Sequence, residues 1–137
     1  PGPMDDYEKS VKRHCGRIGA IEVFLSGPGL ENYYEFISKV KKTSREIVSQ
    51  YQEGDPVSIE VMNIYFDRIA RAFSSFVNIL DPDVIVCGGG MSEIDDIYNE
   101  IPKRIIPYIA SNFFLTPIIK ATHGSSSGVR GAAHLWN

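Results

Sequence analysis

The sequence predicts an α/β fold, rich in helix over its first part and closing on a βαβα unit with parallel strands. Three observations point there. An apolar stripe at helical spacing is sustained from Pro56 to Leu80. Two short β-branched runs, residues 83–87 and 117–122, show no alternation of apolar and polar positions, the pattern of strands covered on both faces of a parallel sheet. Each run leads into a turn of glycines or small residues and then into another helical stretch.

Taken in order, residues 1–13 are polar, lack a clear period and are expected to form a loop or arm. Ala20–Leu25 predicts a short helix stopped by Gly27-Pro28-Gly29. Leu30, Tyr33, Tyr34, Ile37 and Val40 recur at helical spacing, and Lys41-Lys42 closes that element. Ser44 is suited to cap the next helix, which shows Ile47, Val48 and Tyr51 on one face and ends at Gly54.

Asp55-Pro56 then pairs an N-cap acid with a proline at the first helical position. The helix that follows runs about six turns, with Met62, Tyr65, Ile69, Phe73, Phe76, Val77 and Leu80 inward and Asp67, Arg68, Arg71, Ser74, Ser75 and Asn78 mostly outward. After Asp81-Pro82 comes the strand Asp83–Cys87 and the run Gly88-Gly89-Gly90. A helix is expected from Glu93 to Ser111, kinked or divided by Pro102 and Pro107. Pro117–Thr122 is the second strand, 124–127 a turn, and Val129–Trp136 a last helix.

A chain of 137 residues suits one domain with a modest core, here spanning 1–137. Net charge is −3 and no basic stripe stands out, which argues against a nucleic-acid partner. Apolar runs are short, so no membrane span is expected, and two cysteines make no disulfide framework. A cytoplasmic compartment follows as the expectation. Pro1-Gly2-Pro3-Met4 has no signal-peptide character and suggests an incomplete chain.

Three stretches carry chemistry. In V-I-V-C-G-G-G-M-S, residues 84–92, a buried-type strand ends in three glycines before a helix. Glycines let backbone approach a ligand closely and a helix start offers free N–H groups to an anion. The stretch is neither a Walker loop nor G-x-G-x-x-G, so nucleotide contact and a plain tight turn both fit. In H-G-S-S-S-G-V-R-G-A-A, residues 123–133, Ser125 to Ser127 suit either an anion or a helix cap. In R-H-C-G-R-I-G-A-I-E, residues 13–22, His14 and Cys15 are adjacent and so point apart, and structural zinc wants four ligands, so metal binding is not expected. Glu22, just after a Gly-Ala turn, is either an acceptor for sugar hydroxyls or a solvated surface acid.

Together, C-G-x-x-G-x-I-E-x-x-x-S-G-x-G at 15–29, D-P-D-V-I-V-x-G-G-G-M-S at 81–92 and H-G-x-S-S-G-V-R-G-A-A-x-L-W at 123–136 resemble the ROK family of sugar kinases, its bacterial fructokinases above all. The likeness runs from about Met4 to Trp136 in one order. It implies most of the C-terminal lobe of an actin-like, RNase H-type fold, with ATP and Mg²⁺ bound between two lobes. Residues Gly88, Gly89 and Gly90 would lie against the adenosine side of ATP, and Glu22 would help hold the sugar. The implied reaction is transfer of the ATP γ-phosphate to a hexose hydroxyl, with fructose the first expectation, then glucose or an N-acetylhexosamine.

The departures from the family pattern bear on this. Arg13 and Ala20 stand at two cysteine positions of its zinc motif and only Cys15 matches, so the zinc site is expected to be lost. The family's phosphate loop, catalytic Asp and sugar-binding histidine motif precede the matched region, so no catalytic residue is expected here and the chain alone is expected to be inactive. Alternatives are a homodimer or other interaction module, the partner of a separate N-terminal lobe, and, less favoured, a ROK repressor.

Overall fold

The computed structural model describes residues 4–12, 16 and 18–136. The segment expected to be a loop at the start holds a short helix, α1 (Asp6–Ser10). It forms because Asp5 and Glu8 make a capping box: the Asp5 carboxylate accepts from the Glu8 amide at 2.7 Å and Glu8 accepts from the Asp5 amide at 3.2 Å.

Helix α2 (Ile21–Leu25) follows as expected. Helix α2 stops just before Gly27-Pro28-Gly29 as expected, and the same residues also start the next helix. In α3 (Gly27–Ser38), Ser26 accepts from the Gly29 amide at 3.2 Å and Pro28 sits in the first turn, where its missing N–H costs nothing. Helix α4 (Ser44–Gln52) is capped by Thr43 rather than Ser44, because Glu46 completes a capping box with Thr43.

Helix α5 (Pro56–Leu80) is the central post, opened by Asp55, which accepts from the Ser58 amide at 2.8 Å. Its residues Val61, Met62, Tyr65, Phe66, Ile69 and Ala70 are buried, with α2, α3, α4 and α6 (Asp96–Arg104) packed against it. The inward stripe differs from the expected one at both edges. Arg68 and Ser74 are buried, whereas Phe76 and Leu80 are exposed. Arg68 tolerates burial because carboxylates and aromatic rings surround it, and Ser74 because its hydroxyl donates to the Arg71 carbonyl at 2.7 Å.

Strand β1 (Ile85–Cys87) pairs in parallel with β2 (Ile118–Lys120), Ile85 opposite Ile118 and Cys87 opposite Lys120. The expectation of strands covered on both faces does not hold among the described residues. Ile118 packs on the core, but Val86 and Ile119 point away from it, 57% and 47% exposed.

The long helix expected over 93–111 is divided into a 3₁₀ turn at Gly90–Glu93, α6, and a second 3₁₀ turn at Ile106–Tyr108 that holds Pro107. Pro102 lies within α6 without ending it, and Ile94, Ile97, Ile101 and Ile105 face the core as expected. The chain closes on a 3₁₀ turn at Gly124–Ser126, α7 (Ser127–Ala133) and a final 3₁₀ turn. The predicted helix-rich α/β fold with a terminal βαβα unit is therefore the fold observed.

Candidate functional site

The three glycines lie at the carboxyl end of β1 and are exposed, where parallel sheets place ligands. Gly89 has φ +91° and ψ 177°, a conformation that only glycine adopts without strain. Behind it the turn is braced. The Ser92 hydroxyl donates to the Gly89 carbonyl at 2.7 Å, and the Tyr98 hydroxyl donates to the Ser92 carbonyl at 2.7 Å. The glycine backbone is thus held in one shape while its outer surface stays open.

Gly90 and Met91 form one wall of a cleft of about 590 Å³, whose other wall is Gly27 with Ser44, Arg45, Val48 and Ser49. The Met91 sulfur faces Gly27, where an added Cβ would meet it in ordinary contact at 3.5 Å. The cleft therefore brings together the glycine turn and the N-terminal ends of α3 and α4. Arg45 brings a cation and Glu93 an acid to the lining, Met91 and Val48 add apolar surface, and the Ser44 amide already donates to the Glu31 carboxylate at 2.8 Å. Sequence reasoning missed Gly27, Ser44 and Arg45, having treated the first as a helix stop and the second as a cap. The S-G-x-G of residues 26–29 was the available signal.

Glu22 lies exposed in the first turn of α2. Its helix is secured from below: the Tyr65 hydroxyl donates to the Leu25 carbonyl at 2.8 Å, and the tight turn at Gly29 leaves no room for a Cβ beside the Val23 carbonyl. Glu22 and Gly27 are five residues apart on the same α2–α3 corner, so the predicted sugar acid and the cleft adjoin in the chain.

The second strand-to-helix turn stands beside the first. The Ala121 amide donates to the Cys87 carbonyl at 2.8 Å, and Lys120 pairs with Glu93 at 2.8 Å. The Ser126 hydroxyl donates to the His123 carbonyl instead of capping α7. Burial pushes the Cys87 thiol above its ordinary range, consistent with a packing role.

Arg13, His14 and Cys15 lie outside the described residues, so the expected loss of the zinc site rests on the sequence, where Ala20 offers no ligand atom. Among the described residues, no three His, Cys, Asp or Glu side chains are grouped to hold a metal. No helix is long and apolar enough to cross a membrane.

Comparison with known proteins matches the ROK family over residues 3–137. This chain belongs to the ROK family. Among curated relatives, the N-acetyl-D-glucosamine kinase of Vibrio atlanticus is 42% identical over 121 residues, which covers 88% of this chain and 40% of that protein. The chain thus spans about two fifths of the length of the curated relatives it matches. Two solved ROK structures share its fold at low identity. The ROK hexokinase from Thermus thermophilus superposes with a TM-score of 0.77 at 23% identity, over 92% of this chain and 43% of that one. The ROK family glucokinase from Streptomyces griseus, solved with glucose and AMPPNP, gives 0.78 at 20% identity, over 88% and 45%. The ROK assignment agrees with the actin-like ATPase fold implied by the three motifs.

Proposed function

We propose that this chain supplies the nucleotide wall and one sugar-holding acid of a ROK sugar kinase that transfers the γ-phosphoryl group of ATP to a hexose hydroxyl. The carrying observation is the cleft in which the braced Gly88–Gly90 turn meets Gly27 and the starts of α3 and α4. Exposed glycine backbone and Met91 suit the adenosine, and the Arg45 guanidinium suits phosphate oxygens. Mg²⁺ travels with those phosphates. Glu22 accepts hydrogen bonds from sugar hydroxyls on this reading.

The name of the relative 42% identical to this chain favours an N-acetylhexosamine as the sugar, in place of the fructose expected from motifs alone. Phosphoryl transfer also needs a group that orients the nucleophile and contacts that neutralise the leaving phosphate. Glu22 and the glycine turn fill binding roles only, so the chain by itself binds without turning over.

Calorimetric titration with Mg-AMPPNP, N-acetylglucosamine, glucose and fructose, followed by a coupled ADP-release assay with Mg-ATP, tests this. Nucleotide binding, preference for N-acetylglucosamine and no turnover are expected. Absence of nucleotide binding overturns the site, and turnover above background overturns the purely binding roles.

A second reading, an association module, is favoured by one observation. Ile79, Leu80 and Leu115 are each at least 68% exposed, and Val86 and Ile119 of the two strands are exposed as well. Such a surface suits a second copy or the other lobe of a kinase. Light scattering on the purified chain separates the readings: a monomer across the micromolar range removes self-association.

A further inference from the structure

Arg68 lies midway along α5, 5% exposed, and reaches three other segments. Its Nε donates to Glu8 at 2.8 Å and its terminal nitrogen to Asp5 at 3.1 Å, which fastens α1. Its guanidinium carbon stands 4.1 Å from the ring centre of Tyr33 in α3 and 5.4 Å from that of Phe24 in α2. Glu8 is shared with Arg71, so the buried charge is compensated.

Helix α2 has five residues, too few to hold its own shape in water. Its direction is therefore imposed by what touches it, and Glu22 stands two residues before Phe24. We infer that Arg68 is a positioning residue for Glu22: it holds α1 through Glu8 and the flat face of Phe24 at once, and so aims the acid of α2. The inference rests on the sugar-binding role proposed for Glu22. A guanidinium suits this task because it joins a hydrogen-bonding edge to a stacking face, which neither lysine nor an apolar side chain does.

The test compares the whole chain with Arg68→Met and Arg68→Lys. Affinities for N-acetylglucosamine and for Mg-AMPPNP are measured separately, beside amide exchange at Val23 and Ser26, whose N–H groups bond to Ala20 and Glu22. Arg68→Met is expected to weaken sugar binding about tenfold or more and to speed those two amides, with nucleotide affinity within about twofold and α6 exchange unchanged. Arg68→Lys should restore part of the sugar affinity. If both affinities fall together and exchange rises throughout, Arg68 is only a stability residue and the inference fails. Unchanged exchange in α2 also overturns it.

Should Arg68→Met not fold, Phe24→Leu removes the ring that Arg68 faces at 5.4 Å while leaving both ion pairs. It must accelerate the same two amides for the inference to stand. If the unaltered chain binds no sugar, the role of Glu22 fails, while the exchange data still decide whether Arg68 orders α2.

Discussion

The Tyr65 hydroxyl donates to the Leu25 carbonyl at 2.8 Å, joining the end of α2 to the body of α5. Tyr65 is 2% exposed, and burial raises its phenol far above the ordinary range, so it stays a neutral donor at any working pH. Tyr65→Phe leaves the carbonyl without this donor and should cost about 1–2 kcal/mol. A urea transition shifted to lower midpoint with unchanged slope is the expected record. An unshifted midpoint would mean that the bond contributes nothing net.

Gly89 and Gly90 should separate backbone strain from ligand contact. A Cβ at either position meets open space, but only Gly89 has positive φ. Gly89→Ala should therefore destabilise the fold by about 1–3 kcal/mol and lower nucleotide affinity. Gly90→Ala should leave the melting temperature in place and reduce nucleotide affinity alone. Equal affinity for nucleotide in Gly90→Ala would remove this glycine from the ligand wall.

At Gly29 the difficulty is space. A Cβ there would run into the Val23 carbonyl, so Gly29→Ala must push α3 away from α2. A loss of about 1–3 kcal/mol is expected, together with weaker sugar binding as α2 shifts. A fully stable Gly29→Ala would contradict the tight α2–α3 corner described here.

Glu8 sets an acid limit. Burial alone would push its carboxyl up, but hydrogen bonds and charge from Arg71 and Arg68 outweigh that and hold it below the ordinary 4.5. The native state therefore binds this proton less readily than the unfolded state. The stability contributed is complete above about pH 4.5 and is lost as pH falls through the lower, native value. Denaturant midpoints measured from pH 7 to pH 3 should fall in that window, and Glu8→Gln should flatten the fall. Parallel curves for the two proteins would refute the assignment.

Much of the fold was legible in the sequence because its signals were local. Asp55-Pro56 and the apolar stripe located α5, and the β-branched runs before small-residue turns located both strands. What escaped depended on partners distant in sequence. Arg68 looks like a surface cation until Glu8, sixty residues earlier, is folded against it. Val86 and Ile119 look buried by pattern, yet which faces are covered is decided by packing. Two further signals are local: the capping box of Asp5 and Glu8, and the Ser26-Gly27-Pro28 helix start. At the candidate site, the glycine run and Glu22 are expectations carried by the motifs, whereas Ser44 and Arg45 join the cleft only through the packing of α4.

The central claim is that the cleft between the glycine turn and the starts of α3 and α4 holds the nucleotide. Amide NMR of the labelled chain during titration with Mg-AMPPNP tests it most directly. Saturable shifts at Gly27, Ser44, Arg45 and Gly88 to Met91 are predicted. Shifts confined to the separate groove around Asn63, Glu100 and Arg104, or none at millimolar nucleotide, would contradict it.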